Sequence, residues 1–293
     1  MTAIERPVSA GSPGKALAPS PAQSQPDIDA RDDCGAPDIQ YVGDPNFMTS
    51  LARGLRVIRA FSEHRSNLTI SQVSQSTGLS RASVRRCLYT LAALGYVGEN
   101  NKQFFLKVQV LTLGHAYLSS TPLAMVAQPY LDEVSLALHE SCSAAVLDGD
   151  DIVYICRSAE TRIMSIALMV GTRLPAYCTS MGQVLLAHLD APALDAYLAR
   201  VRLVARTDRT TTSVTRLRKT LDAVRLAGYA LLDQELEAGL RSIAVPVIDA
   251  RGQVVAAVNV GVHASRIALE TMKTTFLPAL KKCSAALGAV LVA

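Results

Sequence analysis

The stretch from Ile70 to Leu94, ISQVSQSTGLSRASVRRCLYTLAAL, most constrains what this chain can fold into, because it predicts two short helices joined by a tight turn. Thr69 followed by Gln72 is typical of a capping box, in which side chains bond the free amides of a first helical turn. Gly78 suits the left-handed position after a helix, and Ser80 is a favoured cap for the next one. The pattern therefore predicts a helix-turn-helix.

The second predicted helix has one apolar face and one basic face. Val84, Leu88 and Leu91 recur at i, i+4 and i+7, which predicts a buried stripe. In a helix-turn-helix the second helix enters the major groove, and flanking basic groups hold phosphates. For this pattern alone, an ordinary helical hairpin with a solvated basic face remains the alternative. The candidate DNA-contacting residues, one of them in the hairpin that follows, are Arg81, Ser83, Arg85, Arg86, Tyr89 and Lys102.

Positive charge is concentrated in the same part of the chain. Residues 47–107 contain nine Arg and Lys residues against two acidic residues, a net charge of +7, whereas the whole chain carries +4. A basic surface confined to one module is the electrostatic signature of phosphate binding. We therefore expect nucleic-acid binding that weakens strongly as the salt concentration rises.

Two β-prone runs, 96–97 and 104–106, follow the second helix, and turn residues at 99–102 separate them. They predict a hairpin where a winged helix-turn-helix has its wing. Upstream we expect a supporting helix over 50–62. Its predicted buried face consists of Leu51, Leu55, Ile58 and Phe61. These features together favour binding to double-stranded operator DNA.

The composition divides the chain into four segments. Residues 1–46 hold seven of the thirteen prolines and seven acidic residues, and we expect a disordered tail there. Residues 47–107 form the predicted winged helix-turn-helix domain, and residues 108–123 a linker helix. Residues 124–293 predict an α+β sensor-like domain, in which helices pack on an antiparallel sheet. Its strands are predicted at 143–147, 152–156, 164–169, 229–232, 243–248 and 254–262, and its helices at 125–140, 181–189, 192–200, 214–227 and 266–291.

Cysteine usage and hydropathy restrict the class of protein. The six cysteines are scattered without C-x-x-C spacing, and no histidine has zinc-finger spacing, so we expect free thiols, no metal and no cofactor. No apolar run reaches the roughly 18 residues that span a bilayer, and the N-terminus lacks a signal sequence. We therefore expect a cytoplasmic protein with no membrane partner.

Six segments of residues 47–293 have a characteristic order: SLARGLRVIRAF (50–61), the helix-turn-helix with its wing, LDGDDIVYICR (147–157), GTRLPAYCTSMGQVLLA (171–187), GYALLDQELEAGLRSIAVPV (228–247) and AAVNVGVHA (256–264). Through these segments the chain resembles the IclR family of bacterial transcription regulators. The resemblance implies an N-terminal winged helix-turn-helix, a linker helix and a C-terminal GAF-like effector-binding domain, assembled as a homodimer or homotetramer on a palindromic operator. Residues 162–182 are most similar to the subgroup that controls aromatic-acid catabolism through the β-ketoadipate pathway. Members of that subgroup respond to 4-hydroxybenzoate, protocatechuate or β-ketoadipate; some repress and some activate.

The same resemblance implies an effector pocket in the C-terminal domain. It implies contributions from Ser180, Met181, Asp233, Glu235, Ser242, Asn259 and Gly261. Independently, Cys178, Thr179 and Ser180 precede an apolar helical run, which places them at a helix N-terminus, where free amides and the helix dipole favour a carboxylate. Plain N-capping, a surface ion pair and a satisfied buried amide are the structural alternatives for these polar residues.

A carboxylate effector also requires a cation, since arginine can bind a carboxylate bidentately. The candidates are Arg157, Arg162, Arg173 and Arg241, and Arg241 has the best context because it lies in the family-like G-L-R-S segment. Members of the family usually have Arg or Lys after S-x-G, whereas this chain has Gln183. This departure argues against a basic contact with the effector at that position.

Three other functions compete with this interpretation. Cys178 is a candidate nucleophile of a small-molecule enzyme if a helix N-terminus activates its thiol. However, the chain has no G-x-S-x-G, G-x-G-x-x-G or phosphate-loop motif. An architectural DNA-binding protein would not need the large C-terminal domain. A regulator of a different carboxylate pathway would share every feature except the effector.

Overall fold

The computed structural model describes residues 41, 43–61, 65–159 and 168–291, so most of the predicted tail lies outside the described residues. The N-terminal part consists of α1 (Thr49–Arg59), α2 (Ile70–Thr77), α3 (Arg81–Ala93), β1 (Val97–Asn100) and β2 (Gln103–Leu106). A 3₁₀ turn then leads into α4 (Leu111–Ser120), the predicted linker helix, and α5 (Pro122–Leu138) follows.

The helix-turn-helix forms through the local signals that predicted it. The Thr69 hydroxyl accepts from the Gln72 amide at 3.3 Å, and the Gln72 side chain accepts from the Thr69 amide at 2.8 Å, which completes the capping box. Gly78 ends α2 in the left-handed conformation with a φ of 69°. Ser80 caps α3 by accepting from the Ser83 amide.

α1 packs on this motif through only part of the predicted face, since Phe61 is buried and Ile58 packs against the core but the two leucines do not. Leu51 and Leu55 are 58% and 49% exposed, whereas Val57, Ala60 and Phe61 are buried in the core that α2, α3 and the hairpin share. The predicted role of the two leucines in this core was therefore wrong. The helix carries two apolar stripes, and helical spacing does not show which of them is covered.

The hairpin after α3 is attached to the helix-turn-helix by an additional backbone contact. β1 and β2 pair antiparallel, and Asn101 and Lys102 form the turn with φ values of 48° and 62°. Leu68, just before α2, exchanges two backbone hydrogen bonds with Phe104, at 2.9 and 2.8 Å. This bridge restricts the hairpin's position, and no local sequence signal predicted it.

The C-terminal part is built on a six-stranded antiparallel sheet. Its strands are β3 (Cys142–Asp148), β4 (Asp151–Ser158), β5 (Arg173–Pro175), β6 (Ala230–Asp233), β7 (Leu240–Ile248) and β8 (Val254–His263), in the spatial order β5-β4-β3-β8-β7-β6. The helices are α6 (Ser180–Ala187), α7 (Ala191–Arg200), α8 (Val214–Ala227), α9 (Leu269–Thr271) and α10 (Leu277–Val290). The predicted α+β class is confirmed.

Two predicted elements differ from the structure. Of the strand predicted at 164–169, residues 164–167 lie outside the described residues, and Leu168 and Met169 belong to no strand; the edge of the sheet is formed by β5 instead. The helix predicted at 266–291 is interrupted by a π-helical segment, Met272–Phe276. Pro278 follows this segment, and because proline has no N–H and crowds the preceding turn, it disfavours continuous α-helical bonding there.

The sheet separates two apolar cores. Ala244 and Ala257 face the core that contains α6, α7 and α8. Their strand neighbours Ile243, Val245 and Val258 face the core that contains α5 and α10. Successive side chains of a strand point to opposite faces, so the two cores lie on opposite sides of the sheet.

Within the described ranges, no helix is long and apolar enough to cross a membrane. The same residues contain no group of three or more His, Cys, Asp and Glu side chains that could hold a metal ion. None of the cysteines that the structure describes forms a disulfide; they are Cys87, Cys142, Cys156, Cys178 and Cys283.

Gly288 marks a close approach between α10 and the sheet. A Cβ there would overlap the backbone carbonyl oxygen of Ile248, whereas a Cβ on Gly114 in α4 would meet no atom within 4 Å. We expect Gly288→Ala to lower the free energy of unfolding by about 1–3 kcal/mol, because the two backbones must separate. The matched Gly114→Ala variant should be as stable as the parent or slightly more so. Equal denaturant midpoints for Gly288→Ala and the parent would contradict this packing.

Candidate DNA interface and effector site

α3 presents a basic outer surface. Arg81, Arg85 and Tyr89 are spaced i, i+4 and i+8 and are all exposed, Tyr89 by 76%. The buried residues of α3, Val84, Leu88 and Leu91, anchor the helix to its core. α3 can therefore contact a DNA groove through Arg81, Arg85 and Tyr89 without disturbing its packing.

The remaining candidate DNA contacts surround this surface. Arg86 is exposed on an adjacent face of α3, and Lys102 is exposed at the tip of the hairpin. Ser83 is half-buried, and its hydroxyl lies 3.0 Å from that of Ser80 in the helix cap. A hydroxyl has further bonding capacity, so Ser83 can contact DNA while it retains this capping bond.

The C-terminal domain contains a cavity between the sheet and the beginning of α6. Its empty space is about 530 Å³ when the opening to solvent is included. Six of the predicted effector residues line it: Cys178, Ser180, Glu235, Ser242, Asn259 and Gly261. The other lining residues are Ser141, Ser143, Tyr154, Arg157, Leu168, Thr179, Leu232, Leu236 and Leu240.

A polar row crosses three strands on the cavity wall. Ser143 in β3 is directly opposite Arg157 in β4 and Asn259 in β8. The Arg157 guanidinium donates to the Ser143 hydroxyl at 3.2 Å. Burial lowers the pKa of Arg157 from its ordinary value, but a guanidinium remains protonated at neutral pH. The row therefore supplies a partly desolvated cation beside hydroxyl and amide groups.

The N-terminus of α6 forms a second polar wall. The Thr179 hydroxyl caps the helix by accepting from the Gly182 amide at 3.2 Å. Ser180 is 1% exposed, and its hydroxyl oxygen is buried with no hydrogen-bond partner among the described residues. A buried hydroxyl without a partner is costly, and here it lines a cavity beside a helix N-terminus that favours anions.

Glu235 contributes an acidic group to the same cavity. Its Oε2 atom is buried and finds no partner in the part of the chain that the structure describes. Burial raises the pKa of this carboxyl, although a hydrogen bond from the Thr211 backbone and the charge of Arg216 act in the opposite direction. Glu235 thus offers an acceptor that a ligand hydroxyl can use.

Three predicted effector residues do not line the cavity. Met181 is buried in the apolar core. Asp233 forms an ion pair with Arg241 at 2.8 Å and a second one with Arg209. Burial acts to raise the pKa of Asp233, but the hydrogen bond and charge of Arg241 outweigh it and lower the pKa. Arg241 also donates to the Ala264 carbonyl.

Arg241 is therefore less available to an effector than its sequence context predicted. Its guanidinium is committed to Asp233 and to backbone carbonyls. Arg173 forms ion pairs with Asp148 and Asp151, and Arg162 lies outside the described residues. Of the four candidates, Arg157 is the one on the cavity wall.

The environment of Cys178 does not resemble that of an activated nucleophile. Its side chain is fully buried and lies just before α6. The nearest histidine in sequence, His188, caps the other end of that helix and contacts the Val184 carbonyl at 2.8 Å. An eight-residue helix is about 12 Å long, so this imidazole cannot serve as a base for the thiol.

Two family models match the chain. The model described as bacterial transcriptional regulator IclR C-terminal matches residues 115–289, and the IclR helix-turn-helix domain matches residues 50–100. The chain belongs to the IclR family. The predicted family membership is thus confirmed over both parts of the fold.

Several IclR relatives are similar over most of their length. The Pca regulon regulatory protein of Pseudomonas putida is 55% identical over 83% of this chain and 84% of that protein. The p-hydroxybenzoate hydroxylase transcriptional activator of Acinetobacter baylyi is 36% identical over 80% of this chain and 89% of that protein. An IclR homolog from Microbacterium hydrocarbonoxydans, solved in complex with 4-hydroxybenzoate, has a TM-score of 0.72 and 25% identity, and covers 83% of this chain and 99% of its own.

The sequence interpretation missed part of the wall of this cavity. Ser143 lines it from β3 and Ser141 from just before that strand, and Leu240 lines it near Ser242 on β7. Asn259 was proposed from the family resemblance, and strand pairing places it opposite Ser143. Polar residues at alternate positions of an otherwise apolar strand could have indicated these wall residues. Only the strand order shows that they lie side by side.

Because burial raises the pKa of Glu235, we expect the free energy of unfolding of this IclR domain to depend on pH. The folded state keeps this proton to a higher pH than the unfolded chain does. The free energy of unfolding therefore falls as the pH rises from the unfolded-state pKa of Glu235 to its folded-state pKa. Glu235→Gln removes the charge, and we expect its melting temperature to exceed the parent's at pH 8. The difference should vanish below the ordinary glutamate pKa of about 4.3.

A control variant is Glu99→Gln, in the exposed hairpin. It should show no comparable pH-dependent difference in melting temperature. A melting curve of Glu235→Gln that matches the parent's at every pH would contradict the desolvation of this carboxyl.

Proposed function

We propose that this chain is a ligand-responsive DNA-binding transcription regulator of aromatic-acid catabolism, with a small hydroxylated aromatic acid as its effector. The observation that carries this proposal is the combination of Arg157 and two unpartnered buried oxygens, Ser180 Oγ and Glu235 Oε2, in one cavity. Leu168, Leu232, Leu236 and Leu240 supply apolar wall for a ring. The names of the relatives, and the 4-hydroxybenzoate bound to one of them, support the same class of effector.

The charges in the cavity discriminate among the candidate effectors. A carboxylate fits the Arg157 guanidinium and the N-terminus of α6, because both favour an anion. Ionised Glu235 accepts a hydrogen bond from a phenolic hydroxyl but repels a second carboxylate. This arrangement favours 4-hydroxybenzoate or protocatechuate over the dicarboxylate β-ketoadipate, which would require a protonated Glu235.

The proposed assembly is a homodimer or homotetramer on a palindromic operator. One recognition helix reads only a few base pairs, and symmetric pairs of such helices supply the missing affinity and specificity. In this proposal residues 47–107 bind DNA and residues 124–293 bind the effector. Residues 108–123 form the linker helix that joins these two domains. Effector binding changes operator occupancy only to the extent that the effector prefers one arrangement of the assembly. Such a regulator acts in the cytoplasm, where the bacterial chromosome lies.

Binding without turnover is the second part of the proposal. The relatives are named as regulators, and Cys178 lies at the opposite end of α6 from His188. An enzyme that uses Cys178 would consume the aromatic acid and lose that activity on Cys178→Ser. A regulator would return the acid unchanged after prolonged incubation.

The test is calorimetric titration of the full chain with 4-hydroxybenzoate, protocatechuate, β-ketoadipate and benzoate. Operator DNA would be selected from a random duplex library by the protein itself, and its binding measured by fluorescence anisotropy with and without each acid. We expect saturable binding of a hydroxylated aromatic acid and a change in operator affinity in its presence. Absence of binding by all four acids would overturn the aromatic-acid assignment and direct the search to other carboxylates.

A further inference from the structure

A loop before α8, residues 206–211, holds the end of β6 and the residues that follow it. Arg209 forms an ion pair with Asp233, and the Thr207 hydroxyl donates to the Gln234 carbonyl at 2.7 Å. Three consecutive residues, 233–235, are therefore bonded from this one loop, since Glu235 is bonded as well.

Thr210 is the centre of these contacts. Its side chain is buried, and its hydroxyl donates to the Glu235 carbonyl at 2.6 Å. The same oxygen accepts from the backbone amides of Arg206 at 3.1 Å and Thr207 at 2.9 Å. One hydroxyl thus uses its donor and both acceptor positions, and it joins the loop to Glu235.

The backbone at this place needs such support. Gln234 has a φ of 64°, in the left-handed region that residues other than glycine rarely adopt. This conformation reverses the chain immediately before Glu235. The Thr211 backbone also bonds the Glu235 carboxyl, while its Oε2 atom remains unpartnered in the cavity wall.

We propose that Thr210 is a positioning residue that fixes the Glu235 carboxylate for the hydroxyl group of the effector, and so sets the selectivity of the cavity for hydroxylated over unsubstituted aromatic acids. This inference rests on the proposed function. It adds the loop 206–211, none of which lines the cavity, to the determinants of effector choice. Thr210 acts through Glu235 and does not touch the effector.

The physical reason is the directionality of a hydrogen bond to a charged acceptor. Such a bond weakens steeply with misalignment, whereas the apolar contacts of a ring and the attraction of a carboxylate to Arg157 tolerate small shifts. Loss of the Thr210 hydroxyl should therefore weaken binding of 4-hydroxybenzoate more than binding of benzoate. A general loss of folding would affect both acids equally.

The test compares the dissociation constants of 4-hydroxybenzoate and benzoate for the full chain by calorimetry. For Thr210→Val, we expect the preference for 4-hydroxybenzoate to fall by about tenfold, near the lower limit for one hydrogen bond to a charged group. Thr210→Ser keeps the hydroxyl and should keep the preference. Thr220→Val is the matched control, because it removes an exposed hydroxyl that bonds the Arg216 carbonyl on α8.

A double-mutant cycle with Glu235→Gln identifies the route of the effect. If Thr210 acts through Glu235, then Thr210→Val changes the preference little once Glu235→Gln is present. An unchanged preference in Thr210→Val, or equal effects of Thr210→Val in both backgrounds, overturns the inference while the proposed function stands. If the parent protein binds neither 4-hydroxybenzoate nor benzoate, this inference is overturned, and the proposed function fails with it only if protocatechuate and β-ketoadipate do not bind either. Thr207→Val, which loses the bond to Gln234, replaces Thr210→Val if that variant does not fold.

Discussion

Arg157→Gln is expected to weaken binding of a hydroxylated aromatic acid by about 10- to 150-fold, the range for loss of a charge-assisted hydrogen bond. The Arg157 guanidinium lines the cavity and contacts Ser143, which is 2% exposed, at 3.2 Å. The competing cations Arg173 and Arg241 are held in ion pairs with aspartates. Glutamine keeps most of the side chain's length but cannot neutralise a carboxylate.

Calorimetric titration measures this loss, and operator binding without effector serves as the second readout. We expect operator affinity to be unchanged, because Arg157 lies in the C-terminal domain. Arg218→Gln is the control, since this exposed arginine pairs with Asp195 outside the cavity. Effector affinity that is equal in Arg157→Gln and Arg218→Gln would remove Arg157 from the site.

Arg81→Ala and Arg85→Ala should each lower operator affinity by about 5- to 150-fold, the range for an arginine that contacts a base edge. Both side chains are exposed on one face of α3, and the cap at Ser80 and the buried stripe of α3 do not depend on them. The double variant should lose affinity from both contacts. Effector binding should be unchanged, because the cavity lies in the other domain.

The salt dependence of operator binding distinguishes the two kinds of contact. An arginine that neutralises a phosphate reduces the slope of log K against log salt by about 0.9 when it is removed, whatever the operator sequence. An arginine that contacts a base also relaxes the preference for that base. Lys282→Ala is the control, because it removes one positive charge from an exposed ion pair with Glu133. If Arg81→Ala and Arg85→Ala both bind operator with the same affinity as Lys282→Ala, α3 is not the recognition helix.

Local sequence signals predicted the helix-turn-helix because its determinants are local. The Thr69–Gln72 capping box, the left-handed Gly78 and the Ser80 cap are each defined within a few residues, and all three are present in the structure. The bridge between Leu68 and Phe104 joins residues far apart in sequence, and no pattern of neighbours reveals it. Similarly, periodicity placed apolar stripes on α1 but could not show that Val57 is covered while Leu51 is not.

The cavity could be predicted only in part for the same reason. The family resemblance proposed Glu235, Ser242 and Asn259, and all three line it. Sequence context favoured Arg241 over Arg157, yet context cannot show that Asp233 lies opposite Arg241 on the neighbouring strand and engages it. The contribution of Thr210 is likewise a consequence of tertiary structure, since Thr210 and Glu235 meet only when the loop folds over β6.

The division of the C-terminal domain into two cores has a consequence for how such regulators diversify. The cavity shares its side of the sheet with α6, α7 and α8, whereas α5, which continues from the linker helix, packs on the other side. We therefore expect that substitutions on the cavity side can change which effector fits while the core that contains α5 and α10 keeps its packing. Effector choice and the support of the linker helix would then be open to separate alteration.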